Sequence, residues 1–238
     1  MPKTDGIDRE APPADAVRDE SRNPTIKSQV SDAVLVQKRR AQIVAAAVKL
    51  FSVHGYYRTT IQDIAREAGV SIGLIYQYVK DKDDVLLLSL LDVLETYKRE
   101  IPRALEGLTD PLVRFKAAVD AYCRVVDSRR EAGVLNYRST KSLPRERREI
   151  VKQAEIETNQ LIAACIQACI EAGLFRACNV ELVTYHCVML AHSWALKYWR
   201  LKELCTLDGY IEEGLEFILA SLLTPTGRQH AETLAGSR

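Results

Sequence analysis

One stretch constrains this chain more than any other, the run Thr59-Thr60-Ile61-Gln62-Asp63-Ile64-Ala65-Arg66-Glu67-Ala68-Gly69-Val70-Ser71-Ile72-Gly73-Leu74-Ile75-Tyr76-Gln77-Tyr78-Val79-Lys80-Asp81-Lys82. Thr60 stands where a helix N-cap belongs, Gly69 is a residue able to reverse the chain, and Ser71 can cap a second, short helix. Ile61, Ile64 and Ala65 on the first helix then pack against Ile75 on the second. Gly73 allows a close approach to a base edge, and polar and aromatic side chains are left facing outward. That helix-turn-helix layout is one a DNA major groove accepts.

The rest of the chain is helical by the same reading. Only 11 glycines and 8 prolines occur in 238 residues, 47% of the chain is apolar, and no alternating β-branched run reaches strand length. The expected fold class is all-α. The first 34 residues mix Pro2, Pro12, Pro13 and Pro24 with charge and carry few large apolar groups, so residues 1–34 are expected to be a disordered extension. A small helix-turn-helix domain is expected over 35–97, with its motif at about 60–79. A larger helical domain follows over 98–224, with helices near 111–129, 131–140, 144–173, 179–201 and 208–223. The polar tail 225–238 is expected to be flexible.

The formal charge of +1 conceals a local excess. Residues 1–34 carry 5 basic and 7 acidic side chains, residues 35–82 carry 8 and 3, and the remainder 20 and 22. Phosphate binding needs positive charge at the contact and not over the whole protein, so this balance suits DNA. No apolar run approaches the roughly 20 residues that span a bilayer, and the N-terminus lacks a signal-peptide core, so a cytoplasmic protein without membrane contact is expected. Cys123, Cys165, Cys169, Cys178, Cys187 and Cys205 lie in apolar helical contexts without CxxC pairs, the pattern of reduced, buried thiols. His186 and His192 fall on different faces of one helix and make no metal set, and no nucleophile–base set or phosphate loop is present. Neither metal, cofactor nor catalysis is expected.

On Gly55-Tyr56, Thr59-Thr60, Ile64-Ala65, Ala68-Gly69-Val70-Ser71, Gly73, Leu74-Ile75-Tyr76, Tyr78, Lys82 and Val85-Leu86, residues 37–97 resemble the DNA-binding domain of the TetR family of bacterial transcription regulators. The resemblance implies three helices for DNA, about six for effector binding and dimerisation, and a homodimer on a palindromic operator in double-stranded DNA. It implies phosphate contacts for Thr60, Tyr78 and Lys82, and a buried or phosphate-facing ring for Tyr76. Ser71, Ile72, Gly73 and Gln77 take the groove-facing positions, and Gln77 suits a bidentate contact to adenine. Lys38, Arg39 and Arg40, at the start of the first helix, are further candidates for phosphate or minor-groove contact. Val79 stands where the family commonly has phenylalanine. Ile72 and Leu74 replace residues that are often polar, which shifts recognition toward thymine methyls and DNA shape.

The second domain has the composition of a small-molecule site, apolar helices with a few polar groups in their inner stripes. The candidates are Tyr97, Tyr122, Cys123, Val126, Asn136, Tyr137, Arg138, Lys141, Glu157, Asn159, His192 and Trp194. Arg138 and Lys141 could meet a carboxylate or coenzyme A phosphates, or they could pair at the surface with Glu131 or Glu146. The segments 133–144 and 191–201 also resemble TetR-type regulators of fatty-acid, acyl-coenzyme A or aromatic catabolism, which implies a small hydrophobic effector such as an acyl-coenzyme A. For the dimer interface, the last two long helices offer Met189, Ala195 and Trp199 with Ile211, Leu215 and Ile218, unless these complete the protomer's own core. A DNA-binding protein without an effector, or a helical thiol enzyme, are the competing readings.

Overall fold

Asp32 accepts the N–H of Leu35 at 3.1 Å and starts helix α1 (Ala33–His54), which stops where Gly55 adopts a φ of 82°. The structure, a computed structural model, describes Ile26 and residues 28–236. Thr60 and Asp63 form a reciprocal capping box at the start of α2 (Ile61–Ala68), and Gly69 ends it in the left-handed region. Ser71 accepts the N–H of Leu74 and opens α3 (Ile72–Tyr78); Asp81 does the same for α4 (Lys82–Ala104). Pro102 lies within the last turn of α4, so the helix ends after it without being broken.

The second part comprises α5 (Pro111–Ser128), α6 (Arg130–Ser139), a 3-10 turn at Thr140–Ser142, α7 (Arg145–Glu171), α8 (Val180–Leu196), α9 (Tyr198–Leu201), α10 (Leu207–Leu222) and α11 (Pro225–Gly236). Among the described residues there is no strand, only an isolated bridge between Phe175 and Leu223. No helix there is long and apolar enough to cross a membrane. The buried apolar residues of both parts form one cluster, with α4 as its axis. From Asp84 to Leu91 every residue of α4 is buried, because α1 covers one side and α5 and α7 the other.

Three expectations are corrected. The single helix expected over 179–201 breaks at Lys197, where the chain turns so that the Tyr198 ring meets Trp194 edge-on at 5.6 Å and lies 4.0 Å beneath the Arg130 guanidinium. The tail is a docked helix and not a flexible strand of chain. Thr224 accepts the N–H of Gly227, His230 meets Asp110 at 2.6 Å, and Ala231 and Leu234 pack on the core. Gly227 permits this docking, since a Cβ there would stand 2.1 Å from the carbonyl oxygen of Leu174. At the other end, part of the segment expected to be disordered is ordered: Ile26 is buried, Ser28 to Val30 are hydrogen-bonded, and α1 already begins at Ala33. Residues 1–25 and Lys27 lie outside the described residues, as do the last two residues of the tail.

Candidate DNA interface and effector site

On α3 the short helix presents two faces. Ile75, Tyr78 and Val79 are buried against α1 and α2, whereas Ser71, Ile72, Gly73, Tyr76 and Gln77 are exposed. The five exposed positions are the ones a groove would meet, and the Gln77 amide has no hydrogen bond among the described residues, so both its donor and its acceptor are free. Ile72 and Tyr76, 41% and 47% exposed, give this surface an apolar and aromatic character. Lys38 is exposed on α1, while Arg39 bonds to Gln42 at 2.9 Å.

Three residues expected at phosphates are used inside the protein. The Lys82 ammonium donates to the carbonyls of Tyr56 at 2.9 Å and Thr59 at 3.0 Å, approaches that of Tyr57 at 3.5 Å, and sits 4.4 Å from the centroid of the Tyr56 ring. It brackets the loop between α1 and α2, and its donors are spent on backbone carbonyls. Tyr78 is buried in the core. Thr60 is exposed, but its N–H and hydroxyl both donate to Asp63, at 3.0 and 2.6 Å. Those two bonds hold the Asp63 carboxyl below the usual range. Arg40 also turns inward, toward the carbonyls of Ile26 and Tyr78. Lys82→Met is accordingly expected to weaken DNA binding through the loop while leaving the slope of log K against log salt unchanged. A slope reduced by about 0.9 would return Lys82 to the phosphate interface.

In the second part, Tyr97 on α4 stacks on Tyr122 of α5 with centroids 4.2 Å apart and planes 17° from parallel. The Tyr122 hydroxyl lies 3.3 Å from Nε2 of His192 on α8, and the Tyr137 hydroxyl of α6 lies 2.7 Å from Nδ1 of the same ring. Burial lowers His192 to about 4, so the imidazole is neutral at ordinary pH and accepts from one tyrosine while donating to the other. Burial likewise pushes the Tyr97, Tyr122 and Tyr137 hydroxyls up, keeping them protonated. Glu155 on α7 faces the same group and repels charge on all three phenols; burial raises its own carboxyl. One turn further on α7, Asn159 is buried with both atoms of its amide unpartnered.

Thus four of the expected residues, Tyr97, Tyr122, Tyr137 and His192, converge, a fifth, Asn159, lies one turn from Glu155, which faces them, and the remaining seven do not join them. Arg138 and Lys141 are exposed, Glu157 pairs with Lys98 at 3.0 Å on the surface, and Asn136 accepts from Thr140 one turn away. The Trp194 indole donates to Asp127 at 2.7 Å, and Val126 and Cys123 are packed in the core. Glu155 was not among the expected residues; its signal in the sequence is a half-buried acid at helical spacing with the buried Val151, Asn159, Ile162 and Ile166. Tyr97 and Tyr122 are buried, whereas Tyr137 is 47% exposed at the edge of the group. Two surface clefts, of about 350 and 440 Å³, lie elsewhere, the first between α1 and α2 and the second between α1 and the α5–α6 junction. Among the described residues no three His, Cys, Asp or Glu side chains gather as a metal set.

The stripes expected at a dimer interface divide. Ala195, Ile211 and Ile218 are buried in the protomer's own core and Leu215 packs against it, so these four are used internally. Met189 and Trp199 remain exposed, joined by Leu182 and by Phe217, the most exposed large apolar side chain at 83%.

Comparison with known proteins agrees with this architecture. Residues 43–88 match the family model described as bacterial regulatory proteins, tetR family, and residues 109–199 match the tetracyclin repressor-like C-terminal domain. The chain is 52% identical to the HTH-type transcriptional regulator HbdR of Aromatoleum sp. (strain CIB) over 86% of its own length and 89% of that protein. It is 26% identical to the HTH-type transcriptional repressor KstR2 of Rhodococcus jostii, over 79% of its length and 92% of the relative's. Its fold overlays the fatty acid degradation regulator FadR from Bacillus halodurans with a TM-score of 0.67 at 20% identity, covering 76% of this chain and 94% of that one. The exposed reading face of α3, the helical second part and these matches together lead to one statement: the chain belongs to the TetR family of bacterial transcription regulators.

Proposed function

We propose that this regulator is a repressor which, as a homodimer in the bacterial cytoplasm, binds a palindromic operator and is released by a small hydrophobic effector of the acyl-coenzyme A, aromatic-acid or fatty-acid class. The observation that carries the effector reading is Asn159, a buried amide with neither atom partnered, beside the partnerless carboxyl of Glu155. A buried polar group left unpaired costs about 1–3 kcal/mol, a cost that a ligand able to pair with it removes. The rings of Tyr97, Tyr122 and Tyr137, which Glu155 faces one turn before Asn159, suit an apolar or aromatic moiety. No cation is among the groups that perturb these tyrosines, which favours burying the uncharged end of the effector. Arg138 and Lys141, exposed on and just after α6, offer charges for an acidic end at the mouth. The relative named as a repressor and the fold neighbour named for fatty acid degradation support the sign and the class.

Because Tyr97 and Tyr122 are buried and stacked in contact, an effector that enters between them from the exposed edge at Tyr137 binds a conformer in which the helices around them have parted. A differential affinity of about 1–3 kcal/mol between conformers suffices to switch the operator-bound population. The change reaches α3 through α4, which carries Tyr97 and whose first turn follows the recognition helix directly.

DNA selected from a random pool by the full chain, then challenged with acyl-coenzyme A esters, free fatty acids and aromatic acids, tests the reading. Release together with a raised thermal midpoint is the expected result, and absence of both across the panel sinks the effector class. Asn159→Leu discriminates further. It removes the orphaned amide, so the free protein is expected to gain about 1 kcal/mol, a rise of a few degrees in Tm, while the effector loses its grip on the operator complex. A variant that melts earlier than the parent and still responds would show that Asn159 does not face the ligand.

A further inference from the structure

The recognition helix does not end on its own. At the C-terminus of a helix the last carbonyls have no intrahelical partner, and α3 has only seven residues with which to hold its shape. Here the missing donors come from the chain preceding α1. The backbone N–H of Gln29 donates to the Gln77 carbonyl at 2.8 Å, and the Ser28 hydroxyl reaches the same oxygen at 3.2 Å. Arg40 on α1 donates to the Tyr78 carbonyl at 3.1 Å and, with the same terminal nitrogen, to the Ile26 carbonyl at 2.6 Å. Ile26 itself is 4% exposed, part of the core cluster that includes Tyr78 and Val79. The Ser28 hydroxyl in turn accepts the N–H of Val30, which fixes the local turn.

We propose that the segment from Ile26 to Val30 is a positioning strap for base reading. Held by Ile26 and Arg40, it caps the end of α3 and sets the orientation of Gln77, whose side chain is exposed and whose carbonyl the strap holds. The strap acts through the recognition helix, and its two described hydrogen bonds to Gln77 are spent on backbone, leaving the Gln77 amide for a base edge. The role is assigned to the described residues Ile26 and Ser28–Val30. The inference rests on DNA binding by α3 and not on the identity of any effector, so failure of the effector panel leaves it intact.

Three variants test it, each measured on a selected operator and on an unrelated duplex across a range of salt: deletion of residues 1–25, deletion of residues 1–31, and Gln29→Pro, which removes the N–H and stiffens the strap at Ser28 while keeping Ile26. The first is expected to match the parent. The second and third are expected to bind the operator about tenfold more weakly, the size of one or two lost cap hydrogen bonds, with unchanged binding to the unrelated duplex and unchanged salt slope; the second, which also removes the buried Ile26, melts earlier, whereas the third keeps Ile26 and stays within a few degrees of the parent. Operator binding equal to that of the parent in the second and third variants overturns the proposal. So does a shallower salt slope, which would make the segment a phosphate contact, and so does an equal loss on both duplexes with a lowered midpoint, which would make it a general stabiliser.

Discussion

Replacing Arg147 by methionine is expected to destabilise the whole protein by about 2–3 kcal/mol and to flatten its acid sensitivity. Arg147 projects from the first turn of α7 into the first turn of α4, where it meets Asp81 at 2.9 Å, Asp84 at 2.6 Å and Asp83 at 3.5 Å. The Asp84 side chain is only 7% exposed, so removing the guanidinium strands a buried carboxylate. Asp81 is 43% exposed, and its share is discounted for solvent screening. Burial opposes the charge on Asp81, but the Arg147 bonds and the backbone N–H of Asp84 outweigh it and hold the carboxyl below its ordinary value. A depressed carboxyl stabilises fully above its unfolded value of about 4 and loses that contribution as pH falls through the folded value. The parent should therefore lose stability below about pH 4 more steeply than Arg147→Met, as read from urea midpoints. Equal pH profiles, or a loss within error of zero, would reduce the cluster to a surface ion pair.

If the proposed homodimer forms through α8 and α10, Phe217→Glu is expected to leave the chain as protomers at micromolar concentration and to weaken operator binding by about a hundredfold or more. Phe217 is 83% exposed on α10, and Leu182 and Met189 lie exposed on α8. A large aromatic side chain left in water is the kind of anchor on which an interface concentrates its energy. At a two-fold interface one substitution acts twice, placing two carboxylates where two rings would meet. Because Phe217 has little to lose inside its own protomer, the helical signal and the protomer's fold should persist. Mass from light scattering decides the matter: a dimer retained at unchanged concentration would move the interface elsewhere.

The helix-turn-helix was legible in the sequence because its caps and glycine are local. Thr60, Gly69 and Ser71 each act within four residues, and each does in the structure what its position requires. What the sequence could not display was where a long side chain goes. Lys82 has the residue type and position of a phosphate ligand, yet its flexible stem lets it reach back to carbonyls 23 to 26 residues earlier. The tail illustrates the same limit from the other side. Its polar composition suggested loose chain, whereas its order depends on a glycine meeting Leu174 and a histidine meeting Asp110, contacts across 53 and 120 residues. In the second part, aromatic residues announced the tyrosine cluster. Asn159 was among the expected residues but Glu155, one turn before it, was not, because an acid in an apolar stripe becomes informative only once neighbouring helices close over it.

The unbroken burial of α4 from Asp84 to Leu91 bears on how this protein can be recombined with its relatives. A helix with no solvent face over two turns belongs to both cores at once, so a splice placed before or after it leaves one half facing a surface it did not evolve to cover. Grafting this DNA-reading half onto another sensor would require transferring α4 with its wrapping from α1, α5 and α7, together with an arginine to hold its first turn. The two halves have separate tasks and a common interior, which makes the chain a poor source of interchangeable modules.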